Sequence, residues 1–387
     1  MKFEFHQVGR VIVERGGVRR LGELARVYGS HALLVHNADA VVDLVQHNLR
    51  AAGLACDIYR QRGEPSVTSV QQAIEHGRSC GADVVIGLGG GSAIDCAKAA
   101  AAILANSGEP LDYMEVVGRG QKITKTPLPW IAVPTTAGTG AEATRNAVVS
   151  YPEKHYKASI RCEMMLPKIA LLDVELAVSV SREVTAAAGA DALCQLIESY
   201  TSSNANPLSD ALALEGMMRA AKSLKRACDV PDDLDAREDM ALAALMSGIT
   251  LTNAGLGAVH GLAAPLGGSF AVPHGVVCAA LLPHVMRANV KALRERQPES
   301  PALSRYAIIG PAMTGGAYAS VESAIDAGIE FVHDLASDLR IPPLRNYGVE
   351  AEHVPGIVSL ARQSSSIRYN PIELTEAELG DVLRAAI

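Results

Sequence analysis

The short apolar run Asp83-Val-Val-Ile-Gly-Leu88 passes directly into Gly89-Gly-Gly-Ser92, and the chain then continues as Ala93-Ile-Asp-Cys-Ala-Lys98 in an alanine-rich helical pattern. A strand that stops on glycines and restarts as a helix fits few architectures. The runs before it set the rhythm. Val11-Ile-Val13 and Ala32-Leu-Leu-Val35 read as strands, a helix-like stretch runs from Asp39 to Gly53, Cys56-Asp-Ile-Tyr59 reads as a strand and Ser66 to Ser79 as a helix. Strands alternating with helices imply a parallel sheet. The glycines let backbone amides approach a phosphate at a helix N-terminus, where the helix dipole adds attraction. The competing reading is a tight turn in which Ser92 and Asp95 form a capping box. The stretch is not G-x-G-x-x-G.

Trp130-Ile-Ala-Val-Pro134 is the next strand, and it feeds Thr135-Thr-Ala-Gly-Thr-Gly-Ala-Glu142, a loop of small residues and hydroxyls. Its hydroxyls can bond ribose or carboxamide oxygens, or Thr139 and Glu142 can cap a following helix. After Asp173 the β-branched runs give way to long alanine- and leucine-rich helical patterns, which places a boundary near Ser181. The expected fold is therefore α/β plus all-α, with a Rossmann-like parallel-sheet dinucleotide-binding domain over 1–180 and a helical metal- and substrate-binding domain over 181–387. Two domains suit a chain of 387 residues. Ala236 to Leu256 is apolar on nearly all sides, as a buried helix would be, and is expected to deliver His260 at its end.

That second half holds the densest cluster of possible metal ligands. On a helix through Glu183 to Tyr200, Leu193, Leu196, Ile197 and Tyr200 form an apolar stripe, while Asp191, Gln195 and Glu198 line the opposite side. A solvated polar face is the ordinary explanation. However, Val184, Ala187 and Ala188 lie upstream on the same line and suit a packed or cavity-facing surface better than water. His260 ends one helical pattern and His274 precedes the next. Either histidine alone is more often structural than a ligand. Together with Asp191, they give one carboxylate and two imidazoles, which suits iron or zinc with positions left open for water or substrate.

The segments Gly189-Ala-Asp-Ala-Leu193, His260-Gly-Leu-Ala-Ala-Pro-Leu-Gly267 and Pro273-His-Gly275 resemble the iron-containing (group III) alcohol dehydrogenase family, and the resemblance covers nearly the whole chain. It implies metal ligation by Asp191, His260 and His274, which are also the expected catalytic centre, with Gln195 at the position where relatives carry a fourth ligand, a histidine. An amide oxygen there is a weaker ligand than imidazole. Ala264 is a second departure, since many relatives place a histidine there near the nicotinamide. The resemblance also implies NAD or NADP held by Gly89, Gly90, Gly91, Ser92 and Asp95, with Lys98 in its familiar place, by Thr135, Thr136 and Thr139 around the nicotinamide half, and by Lys157 near the ribose. Asn37, at the end of the second strand, stands where an acidic residue would ordinarily bind the adenosine ribose and repel a 2′-phosphate.

The expected activity is that of an NAD(P)-dependent alcohol dehydrogenase or aldehyde reductase using Fe2+ or Zn2+. Two rivals are a metal-independent oxo-acid reductase of the maleylacetate reductase type and an NAD(P)-binding protein that has lost catalysis. A dehydroquinate synthase-like lyase fits the motif wording less well. A net charge of −7 with no long basic run argues against nucleic acid or an anionic membrane and for a small alcohol, aldehyde or oxo acid as partner. The seven scattered cysteines, never in a C-x-x-C pair, read as reduced core thiols. With no signal-like start and no uninterrupted apolar stretch of ~18 residues, the cytoplasm is the expected location. The expected assembly is a homodimer.

Overall fold

The computed structural model describes residues 2–154 and 156–387, which divide into two compact units, His6–Val180 and Ser181–Ile387, the latter taking in the N-terminal segment to Phe5. The first unit runs β1 (Val11–Val13), α1 (Leu21–Arg26), β2 (His31–His36), α2 (Val42–Ala51), β3 (Ala55–Arg60), α3 (Val67–Cys80), β4 (Val84–Gly89), α4 (Gly91–Ala105), α5 (Pro110–Tyr113), β5 (Trp130–Pro134), β6 (Asn146–Tyr151), β7 (Tyr156–Arg161) and β8 (Ile169–Leu172). Six strands form one parallel sheet in the order β1-β8-β5-β4-β2-β3, and β6 and β7 form a separate antiparallel hairpin.

The inner strands read as continuous apolar runs because both faces of the sheet are covered. Alternation then divides the side chains between two cores. Leu33, Val35 and Val85 join α3 and α4 on one side, while Ala32, Leu34, Val84 and Ile86 join α1 and α2 on the other. From β2 the chain steps outward to β3. From β4 it steps the opposite way to β5 and β8. The order thus reverses between β2 and β4, and in open α/β sheets the crevice beyond the carboxyl ends of two such strands is where ligands bind.

The second unit is helical: α6 (Arg182–Thr201), α7 (Pro207–Asp229), α8 (Leu234–Ala254), α9 (Ala258–Ser269), α10 (His274–Arg296), α11 (Pro301–Thr314), α12 (Val321–Asp338), α13 (Val354–Ala361) and α14 (Glu376–Ala386). Side chains mark the starts. Ser181 accepts from the Val184 amide at α6, and Asn206 and Ser209 form a reciprocal box at α7 with Pro207 in the first turn. The buried helix expected over Ala236–Leu256 is α8, but it does not carry His260. Gly255, at φ 77°, ends it, and the chain bends by 103° into α9. By length and composition α10 could cross a membrane, yet 72% of its apolar window is buried within the protein.

Candidate functional site

On α6, Asp191, Gln195 and Glu198 follow one another along one face, and none is solvated: they keep 1%, 3% and 5% of their exposure. Two other helices bring their N-terminal turns to this face. His260 is the third residue of α9 and His274 the first of α10. Their Nε2 atoms lie 3.2 Å and 3.8 Å from Asp191 Oδ1. Cys278, one turn beyond His274, brings its Sγ to 3.7 Å from each of those nitrogens. Four donor atoms, from Asp191, His260, His274 and Cys278, therefore lie within 4.8 Å of one another. This approach depends on Gly275, where any side chain would run into the Ala187 carbonyl of α6.

Glu198 fixes one ring. His260 Nδ1–H donates to Glu198 Oε2 at 2.6 Å, and Glu198 Oε1 accepts the Val259 amide at 2.7 Å. The same carboxylate thus closes the open start of α9 and turns His260 Nε2 toward Asp191. Asp191 is oriented in turn by Gln195. The Gln195 amide nitrogen donates to Asp191 Oδ2 at 3.2 Å, and its carbonyl accepts from Ser247 Oγ at 2.9 Å.

Burial disfavours a charged His260, but the Cys278 sulfur, Asp191 and Glu198 outweigh it and hold the imidazole well above its usual range. His274 is raised to about 9 by the Cys278 sulfur and by Asp191, but burial also pushes the Cys278 thiol well above its usual range, so near neutral pH the thiol is uncharged and the Asp191 carboxylate carries the pull, which solvent partly screens at a ring keeping 40% of its exposure. Burial alone would raise Asp191, and the two histidines more than reverse this. Positive charge is favoured at one point, where a carboxylate oxygen and two imidazole nitrogens converge. A divalent cation meets the same demand, and this oxygen and nitrogen set suits iron or zinc.

In the α/β unit a second site lies at the end of β4. Gly89 has φ 143°, and a side chain there would collide with Asn37 Oδ1. That oxygen accepts the Gly90 amide at 3.0 Å, tying the end of β2 to the glycine turn at the strand-order reversal. A Cβ on Gly91 would stand 2.8 Å from Thr139 Oγ1, and one on Gly90 3.2 Å from Thr136 Oγ1. The Thr135 amide donates to the Gly89 carbonyl at 2.9 Å. Gly89, Gly90, Gly91, Thr135, Thr136 and Thr139 thus form a single bare cradle at the start of α4. No side chain caps that helix, whose N-cap residue is Gly90.

Comparison with known proteins decides the family. The family model described as iron-containing alcohol dehydrogenase matches residues 9–174, and that of the C-terminal part of Fe-containing alcohol dehydrogenases matches residues 185–387. The chain belongs to the iron-containing alcohol dehydrogenase family. It is an oxidoreductase acting on CH–OH groups, an alcohol dehydrogenase or aldehyde reductase. It is 34% identical to 1,3-propanediol dehydrogenase of Klebsiella pneumoniae over 92% of each chain. It is 36% identical to lactaldehyde reductase of Escherichia coli over 89% of this chain and 88% of that one. A crystal structure of 1,3-propanediol oxidoreductase superposes with a TM-score of 0.93 at 32% identity, covering all of both chains. Sulfoacetaldehyde reductase from Bifidobacterium kashiwanohense in complex with NAD+ gives 0.86 at 28% identity, over 100% of this chain and 99% of that one.

Several residues of this dehydrogenase stand differently from the sequence expectation. Gln195 was expected to offer its amide oxygen to a metal, but that oxygen is occupied by Ser247 and the amide nitrogen faces Asp191. Asp95 does not face the glycine cradle. It is buried and bonds Lys98 Nζ at 3.1 Å and the Val148 amide at 3.0 Å. Neither Ser92 nor Asp95 caps α4, whose N-cap residue is Gly90. No helix follows Glu142 for it to cap, because a short 3-10 turn leads into the β6–β7 hairpin. Lys157, on β7, pairs with Glu64 at 2.5 Å. Two residues were missed. The sequence alone places Glu198 only on a polar line and Cys278 only among core thiols, although the spacing of four from His274 puts Cys278 on the same helix face.

Proposed function

We propose that this dehydrogenase moves hydride between the CH–OH carbon of a small alcohol and NAD or NADP, with a divalent metal, iron or zinc, held by Asp191, His260 and His274. The convergence of both Nε2 atoms on the buried Asp191 Oδ1 carries the reading. A metal bound there supplies Lewis acidity toward the alcohol or carbonyl oxygen. Asp191 brings a buried negative charge, Glu198 keeps the His260 proton on Nδ1 so that Nε2 is free to ligate, and Gln195 steadies Asp191 through its second oxygen. In the α/β unit, Gly90 and Gly91 carry no side chain that would block the pyrophosphate from the start of α4, while the Thr136 and Thr139 hydroxyls flank it. Ala264 has no group that can carry a proton, so the alcohol proton leaves through water or a ribose hydroxyl.

The named relatives act on propanediol and lactaldehyde, and short aldehydes and alcohols are accordingly the proposed substrates here. Neutral Asn37 gives no charge repulsion toward a 2′-phosphate, so NADP(H) is accepted alongside NAD(H). Seven unpaired cysteines accord with work in the cytoplasm, and a homodimer is the proposed assembly. The test is metal analysis of the purified protein together with NAD(P)H oxidation against a panel of small aldehydes and oxo acids, with and without chelator. About one divalent ion per chain is expected, with aldehyde reduction lost in chelator and restored by metal. Full activity in chelator with an oxo acid would instead select a metal-independent reductase.

A further inference from the structure

We propose that Cys278 is the fourth protein ligand of the metal, its thiolate replacing the ligand that position 195 does not supply. This rests on the metal reading above and adds to it a donor that the motif resemblance does not name. The argument is geometric. Tetrahedral coordination with bonds of about 2.0–2.1 Å to nitrogen and oxygen and about 2.3 Å to sulfur puts neighbouring donors roughly 3.3–3.6 Å apart. Asp191 Oδ1 lies 3.2 Å from His260 Nε2 and 3.8 Å from His274 Nε2, and Cys278 Sγ lies 3.7 Å from both nitrogens. Four of the six donor–donor distances thus match tetrahedral edges to within a few tenths of an ångström, and the remaining two are within 4.8 Å. Gln195, by contrast, meets Asp191 through Oδ2, whereas both histidines approach Oδ1, and its own carbonyl is bonded to Ser247.

The element that carries the sulfur is already committed to the site. His274 and Cys278 lie one turn apart at the start of α10, where Gly275 allows the backbone to meet α6. Cys278 is fully buried and thus shielded from solvent oxidants. As the sulfur–metal bond forms, the thiol proton passes to solvent and the metal charge is offset by Asp191 and the thiolate together. One oxygen, two nitrogens and one sulfur favour zinc or another borderline-soft ion over magnesium or calcium. The four protein donors leave substrate oxygen to enter as a fifth neighbour, which zinc accepts.

The experiment replaces the native ion of the full-length protein with Co2+ and records stoichiometry by elemental analysis together with the absorption spectrum. Wild type and Gln195→Ala are expected to bind one Co2+ and to show the near-ultraviolet thiolate-to-cobalt charge-transfer band. Cys278→Ser should lose the band and weaken Co2+ affinity about a hundredfold or more, beyond the roughly 10–100-fold cost of losing an outer partner of a ligand. Stoichiometric cobalt without the band in wild type overturns the thiolate ligand while leaving the three-residue site intact. A band that survives in Cys278→Ser does the same. No cobalt uptake by wild type overturns both this inference and the metal reading on which it rests. Because the wild-type spectrum alone can refute the proposal, a Cys278→Ser protein that fails to fold does not protect it.

Discussion

Glu198 shows how much of this centre is set by a group that does not face the ligand point. Its two oxygens receive three donors, the Val259 amide at 2.7 Å, the His260 amide at 3.4 Å and His260 Nδ1–H at 2.6 Å. A carboxylate can only accept, so all three donors are satisfied at once. In Glu198→Gln one end of the side chain becomes an NH2 that must confront either the start of α9 or the imidazole N–H. The expected outcome is a protein of the same shape whose metal affinity falls roughly 10–100-fold. Titration of the apo-protein with metal in competition with a chromophoric chelator measures it, and an unchanged affinity would remove Glu198 from the site. At this scale the sequence was informative where residue type and motif coincide: Asp191, His260 and His274 could be named because the three segments around them resemble one family. Cys278 could not, because a cysteine among seven has no chemical signature until a neighbour is known. Only its helical spacing from His274 pointed there. Gln195 was read from its chemistry, and what redirects it is Ser247, 52 residues away in sequence.

Elements fix where such residues are held, and the start of α4 is held by a buried polar cluster. Lys98 Nζ, with no exposed surface, donates to Asp95 Oδ1 at 3.1 Å, Thr144 Oγ1 at 2.7 Å and the Asn146 carbonyl at 2.6 Å. All three ammonium donors are used, and α4 is tied to the start of the hairpin. Glu142 lies beside this cluster, and burial lifts its carboxyl from 4.5 to about 7, with Lys98 opposing the rise. A carboxyl raised in the native state binds protons there that the unfolded chain has released. Stability therefore falls as pH rises from about 4.5 to about 7, by an amount on the order of 3 kcal/mol. Glu142→Gln removes the titration. Urea unfolding of the two proteins between pH 5 and 8 should show a flatter pH dependence for the variant and a higher midpoint at pH 8. Parallel curves would mean that Glu142 is not strained by its burial. The strands and helices around this cluster were legible from alternation and from apolar runs between turn formers, to within a few residues. What escaped was tertiary: which strand end meets which, the hairpin after Glu142, and the break at Gly255 that gives His260 a helix of its own.

At the scale of the molecule, a change of pattern near Ser181 separates a parallel sheet from a set of helices, and each unit holds its own polar site. The proposed metal donors come from α6, α9 and α10, all in the helical unit, whereas the glycine cradle belongs to β2, β4 and the loop after β5 in the other. A ligand that binds only the folded form of a unit stabilises that form by mass action, by about 2.7 kcal/mol at a free concentration of 100 Kd. Hydrogen exchange reads such gains segment by segment, because amides that exchange only through opening of the unit slow in proportion, here about a hundredfold. Metal removal should therefore speed exchange in peptides from 182–201, 258–269 and 274–296 while leaving the central strands at 31–36 and 84–89 unchanged. NADH added to the metal-free protein should slow exchange at 84–105 and around 135–141. Mass-spectrometric exchange on the metal-loaded, chelated and NADH-bound protein distinguishes these patterns. Metal that protected the sheet as much as the three helices would place the donors elsewhere, and NADH that left the start of α4 unprotected would remove the phosphate from the glycine cradle.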